Sequence, residues 1–166
     1  MLQNVSMYGH IRGIVPRLLI LAVPFVCTPA AHAALGGDAA SIAADAAQLR
    51  GVEQQSMGPS FGMVAITTDN GILVHEFVDD SGLVFAVNWS GPAVPDLRGL
   101  LGSYFASYAS VLSGLPNPGR QRAIHAITAD LVVVCGGHLR AYTGLAYLPA
   151  RVPAGVAPET LSRAHE

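Results

Sequence analysis

Cys135 and His138 stand three residues apart in DLVVVCGGHLR, with Gly136 and Gly137 between them. A thiol and an imidazole within hydrogen-bond reach make a nucleophile and its base, provided a third group orients the base. The same pair, joined by a histidine such as His125, would begin a zinc site, which takes three or four ligands at recognisable spacing. Neither chemistry finds its remaining member in the sequence. Gly-Gly between two apolar, β-branched runs is already sufficient for a tight turn between strands. Side chains at the mouth of such a turn approach one another whatever they do. Cys135 is therefore expected to be a turn residue that behaves as a small apolar side chain.

The remaining candidates are weaker. His75 and Glu76 are adjacent in an apolar run, and neighbours on a strand point to opposite faces, so at most one could join a given site. Asp79-Asp80 lie in a turn sequence, where aspartate commonly bonds its own backbone. Asp96 opens a helix and Asp130 a strand, and nothing makes any two carboxylates converge as a glycosidase requires. Gly36-Gly37 is not followed by the Gly-Lys-Ser/Thr of a phosphate loop. No catalytic, cofactor-binding or metal-ligating residue is assigned, and no cofactor is expected.

The elements that would carry these residues follow from hydrophobic period and punctuation. DAASIAADAAQLRG, 38–51, reads as a short N-terminal helix with Asp38 as its cap and Gly51 beyond its end. Residues 52–60 are polar and read as a loop. Runs of period two follow at 61–68, 72–78 and 83–89, separated by Asp69-Asn70-Gly71 and by Asp79-Asp80-Ser81-Gly82, which are hairpin signals. Leu83, Phe85, Val87 and Trp89 are expected on the core face of the third run. Residues 91–114 form the clearest helix, with Pro95 in its first turn and Asp96 at its positive end. Its apolar stripe is Leu97, Leu100, Leu101, Tyr104, Phe105, Tyr108, Val111 and Leu112. Two more strands, 123–134 and 138–148, are expected to join through Cys135-Gly136-Gly137, and the Pro-rich end is weakly helical from Pro158. The expected fold is α+β. An antiparallel sheet of about five strands, a three-strand meander plus a hairpin, packs on one long amphipathic helix.

The second face of that helix is unusual. Gly99, Gly102, Ser103, Ala106, Ser107, Ala109, Ser110 and Ser113 lie opposite the apolar stripe, and Arg98 is the only charge beyond Asp96. A solvated helix face normally carries Lys, Glu or Arg. This one is a candidate contact surface, with Gly99, Gly102, Ser103, Ala106 and Ser110 at its centre. The plain alternative is a weakly polar surface in a chain that contains no lysine.

The start of the chain indicates destination. Arg12 and Arg17 precede the apolar run LLILAVPFVC, and Ala31-His32-Ala33 places small residues where signal peptidase reads. The run is about half the roughly 20 residues a spanning helix needs, and it contains Pro24. Residues 1–33 are read as a signal peptide and 34–166 as a single domain, periplasmic or secreted. Removal of the leader leaves seven arginines against 11 acidic residues, so the mature chain is mildly acidic and has no basic footprint for nucleic acid or anionic lipid. It also removes Cys27, so Cys135 has no partner for an internal disulfide in an oxidising compartment.

FAVNWSGPAVPDLRGLLGSYF (85–105), DLVVVCGGHLRAYTGLAYLPARVPAGV (130–156) and the opening ALGGDAAS resemble a family of small exported bacterial proteins, catalogued as domain of unknown function 2844. The resemblance covers nearly all of 34–166. It implies an exported proteobacterial protein and no particular activity. The family pattern usually holds another residue at the position of Cys135, which counts against an essential thiol. The leading expectation is a non-enzymatic module that binds a protein or envelope component, a second copy of itself included, without a stable membrane span. The alternatives are an enzyme or metal protein with a site near Cys135, His138 and His125, and a small-molecule carrier with a pocket between sheet and helix lined by Tyr104, Tyr108 and Trp89.

Overall fold

Short turn sequences organise the first half of the sheet. Asp79 accepts hydrogen bonds on Oδ1 from the Ser81 and Leu83 amides, at 2.8 and 3.1 Å, and Gly82 takes the positive φ of +82° that closes the turn. Gly71, at φ +80°, does the same after Asp69-Asn70. A computed structural model describes residues 35–38, 42–58, 60–118 and 121–163. The expected leader, 1–33, lies outside the described residues. The two turns join β2 (Gly62–Thr68), β3 (Leu73–Val78) and β4 (Val84–Gly91) into the antiparallel meander that the spacing predicts.

The fold is α+β with an antiparallel sheet, but the sheet is larger than expected. Among the described residues seven strands run in the order β1-β2-β3-β4-β7-β6-β5. One addition is β1 (Gly51–Met57), read from sequence as loop. It pairs with β2 along its whole length, yet Val52, Gln54, Gln55 and Ser56 are exposed. An edge strand held by backbone bonds and facing water carries no apolar alternation to reveal it. The other addition divides residues 123–148 into β5 (Ala123–Ile127), β6 (Val132–His138) and β7 (Ala141–Tyr147).

The turn expected at Cys135-Gly136-Gly137 is not there. The chain reverses at Leu139-Arg140, where Arg140 adopts φ 67°, and at 128–131, where the Thr128 amide donates to the Leu131 carbonyl at 2.8 Å. Gly136 and Gly137 lie inside β6. A Cβ on Gly136 would sit 3.0 Å from the Arg122 carbonyl oxygen. At Gly137, φ is +128° and a Cβ would fall 2.2 Å from the Ala141 carbonyl oxygen. The pair therefore permits close approach of neighbouring backbones rather than a reversal.

The N-terminal helical stretch is confined to α1 (Ile42–Gln48). Asp38 joins the sheet through its backbone. Residues 36–38 run beside β4, with the Gly36 amide donating to the Val84 carbonyl, the Val84 amide to the Gly37 carbonyl, and a bridge between Asp38 and Leu83. Gly51 begins a strand instead of ending the helix.

Residues 97–113 are helical throughout but not uniform. Asp96 caps α2 (Leu97–Leu101) by accepting from the Arg98 amide, and Pro95 lies before that cap rather than in the first turn. Gly102, at φ 49° and ψ −123°, opens a 3₁₀ turn (Gly102–Tyr104), and α3 (Phe105–Ser113) continues from it. The stripe still faces the sheet: Leu100, Leu101 and Tyr108 are buried with Val64, Ile66, Val74, Val87, Trp89, Val133 and Ala146.

The opposite face is covered too. Val152, Val156 and α4 (Pro158–Arg163), through Leu161, pack on Phe77, Phe85, Ala86 and Leu145. Phe85 thus leaves the face expected of it. A register shift after Phe77 pairs Val78 with Val84 and Phe77 with Ala86, so Phe85 is the extra residue of a bulge and turns to the far side. Val87 and Trp89 stay on the helix side.

Candidate functional site

Cys135 lies on β6 with its side chain against the core on the helix side. Its Sγ is 3.9 Å from the Tyr108 hydroxyl, brought over from α3. Burial pushes the thiol up from its ordinary value, against the hydrogen bonds from Tyr108 and the Ile124 backbone that draw it down. Tyr108 rises to about 12, through burial first and then the neighbouring sulfur. Both groups are protonated at neutral pH, and the thiol, unlike a thiolate, is a poor nucleophile and a poor metal ligand.

The other candidates do not gather around it. His138 is three residues further along the same strand and therefore on the opposite face. It is exposed, with Nδ1 only 3.5 Å from the Leu139 carbonyl. His125, on β5 opposite Val134, is also exposed and alternates away from Cys135. His75 and Glu76 are both buried, on opposite faces of β3. Glu76 lies in register between Val64 and Val87. His75 donates from Nδ1 to Asn88 Oδ1 at 2.8 Å, and the Asn88 amide donates to the Leu161 carbonyl. That buried chain ties the meander to α4 and commits His75 to structure. Burial acts to raise Asp79, but the Ser81 hydroxyl and the Leu83 and Ser81 amides outweigh it and hold the carboxyl below its usual value. Among the described residues no three of His, Cys, Asp or Glu come together as a metal site.

Tyr104, Tyr108 and Trp89, from which a pocket is expected, belong to one core cluster. Tyr104 packs by Gly36, where a Cβ would meet its Cε2 at 3.0 Å. Trp89 is among the residues around a cavity of about 260 Å³, with Val94, Ile124, Cys135 and Tyr142. The helix face of small residues is open: Ser103, Ala106, Ser107, Ser110 and Ser113 are exposed, Gly99 and Gly102 half-buried. Arg98, its single cation, lies 4.5 Å above the ring of Phe105.

Residues 31–161 match the family model described as protein of unknown function, DUF2844. The chain belongs to the DUF2844 family. No curated protein and no solved structure matches it. The matched span of this DUF2844 chain takes in all seven strands and the helical stretch 97–113.

For Cys135 in this DUF2844 protein the expected result is mild. Cys135→Ser keeps the size and replaces a weak contact to Tyr108. It should cost at most about 2 kcal/mol in a urea titration, the ordinary range for one substitution. A folded Cys135→Ser protein that has lost its biological activity would give the thiol a chemical role.

Proposed function

We propose that this DUF2844 protein is an exported, non-catalytic binding module of the cell envelope. The observation that carries the reading is how the reactive side chains are used. Cys135 and Tyr108 are protonated and packed in the core, and His75 is bonded to Asn88 beneath α4. What remains for function is contact. The exposed, nearly uncharged face of 97–113 is the place for it, because a protein partner can cover it without desolvating a row of charges.

Ala106→Arg tests the docking face. Ala106 is exposed, so the melting temperature of the isolated protein should hold, with a change within about 0.5 kcal/mol. In a complex the guanidinium would lie in a covered face without a counter-charge, at a cost of several kcal/mol, or more than about a hundredfold in affinity. Crosslinking in the intact envelope should then lose a capture that the parent protein gives. Unchanged capture would overturn the docking face. Export is read separately from intact mass: protein recovered from the periplasm or medium should begin at Ala34. Full-length protein held in the inner membrane would overturn that part.

A further inference from the structure

The two edges of the sheet differ in what they offer. At one, β1 presents Gln54, Gln55 and Ser56 to solvent. At the other, β5 reads AIHAI, without Lys, Arg, Asp, Glu or Pro and in unbroken register with β6. Charges, proline and bulges are the devices that keep an exposed edge from pairing with another chain. β5 carries none of them, and its Ile127 is 67% exposed.

The backbone fixes which groups of β5 face outward. The Gly137 amide donates to the Arg122 carbonyl at 3.2 Å, and the Thr128 amide to the Leu131 carbonyl at 2.8 Å. Residues 122 and 128 therefore turn toward β6, and Ile124 and Ala126 between them do the same. Ala123, His125 and Ile127 alternate with these, so their N–H and C=O groups point along the open edge. Among the described residues no strand and no backbone group pairs with them. Their side chains are exposed on the face away from the 97–113 helix, whereas Ile124 and Ala126 pack on the helix side.

We propose that β5 pairs with β5 of a second copy of this chain, antiparallel about a two-fold axis at His125. In that register His125 faces His125 of the second copy, and Ala123 faces its Ile127. Each facing pair exchanges two hydrogen bonds, so every outward residue of β5 is used. A shift of two residues either way leaves one outward residue of each copy without a β5 partner. The charges favour the same register. Arg122 stands opposite Thr128 of the second copy, beside the turn that carries its Asp130, and both charged residues are exposed. The two-fold axis repeats that contact at the other end. Ile127 exchanges water for an apolar cross-strand neighbour. One short strand makes a small interface, so the dimer is weak and concentration-dependent. The edge is separate from the helix face at Ala106 and does not depend on it.

The experiment follows sedimentation and amide hydrogen exchange of the purified protein as its concentration rises to about 1 mM. A reversible dimer should appear, and the Ala123, His125 and Ile127 amides should gain protection with it. The Ile124 and Ala126 amides, turned to β6, should be protected at every concentration. His125→Pro removes the central outward N–H without deleting a bond to β6. It should raise the dimer Kd by about tenfold or more, as the loss of two hydrogen bonds implies. Arg122→Glu keeps the backbone whole and sets like charge beside Asp130. It should weaken the dimer a few-fold, as expected of a solvent-facing pair, and Arg122→Glu combined with Asp130→Arg should restore it. A protein still monomeric at about 1 mM would overturn the proposal and leave the edge to an extended segment of another protein. A dimer whose three outward amides stay unprotected would overturn it too, as would one that survives His125→Pro or that the charge exchange fails to restore.

Discussion

Gly144→Val is expected to leave the protein without its native fold. Any side chain at Gly144 enters the ring of Trp89: an added Cβ would lie 2.1 Å from Cζ2 and 2.3 Å from Cε2, where ordinary carbon contacts are about 3.5–4.0 Å. Trp89 is 1% exposed and cannot swing into water. It must slide along the sheet or push β4 from β7. Overpacking costs about 1–3 kcal/mol in typical cores, and Gly144→Ala should fall at or above the top of that range. Valine adds two branches to the same clash, against a total stability of about 5–15 kcal/mol. The readouts are circular dichroism and the emission of Trp89, which should shift to the red as the ring meets solvent. A Gly144→Ala protein as stable as its parent within 0.5 kcal/mol, on the order of a neutral surface change, would contradict the stacking of Trp89 on this strand.

Leu101→Ala is the second large effect. Leu101 ends α2, is 0% exposed, and belongs to the cluster that joins the 97–113 helix to the sheet. Truncation leaves a void under a segment already interrupted at Gly102. The expected cost is about 2–5 kcal/mol, read as a lower urea midpoint at unchanged slope. Phe105→Ala should cost less. Phe105 is only half-buried, and part of its ring is occupied by Arg98 rather than by the core. A smaller loss at Leu101 than at Phe105 would mean the helix meets the sheet through a different face.

The features legible in the sequence were those with a strong local cause. The Asn/Gly turns and alternating apolar runs indicated the meander, and the 3.6-residue stripe showed which side of 97–113 would be buried. Strand β1 was not legible because its order comes from backbone pairing with β2, which side-chain patterning does not record. The glycines at 136 and 137 pointed to the wrong turn because glycine serves close backbone approach as well as reversal. Only the neighbouring strand distinguishes the two. Phe85 changed faces through a bulge, which shifts parity without changing composition. The cavity at Trp89 was half legible: Trp89 was expected in a pocket, but Gly144 beneath it and Ile124 beside it are partners brought from distant strands. His138 and Cys135 were separated by strand parity once the turn between them became strand.

The sheet is two ribbons sewn by one seam. Within 51–91 and within 123–147 each strand pairs with its neighbour in sequence, whereas β4 pairs with β7 across about 50 to 60 residues of chain. Closing such a loop costs entropy before any of its contacts form, and distant pairing is what slows folding in two-state domains. The ribbons therefore form early, and the seam, with Trp89 set on Gly144, sets the rate. Substitutions that weaken the pairing of β4 with β7 should slow folding, and so should those in β1, whose pairing with β2 precedes the seam. A chain with this topology spends its longest incomplete stage with two sheet edges unpaired, and those edges are where self-association during folding would begin.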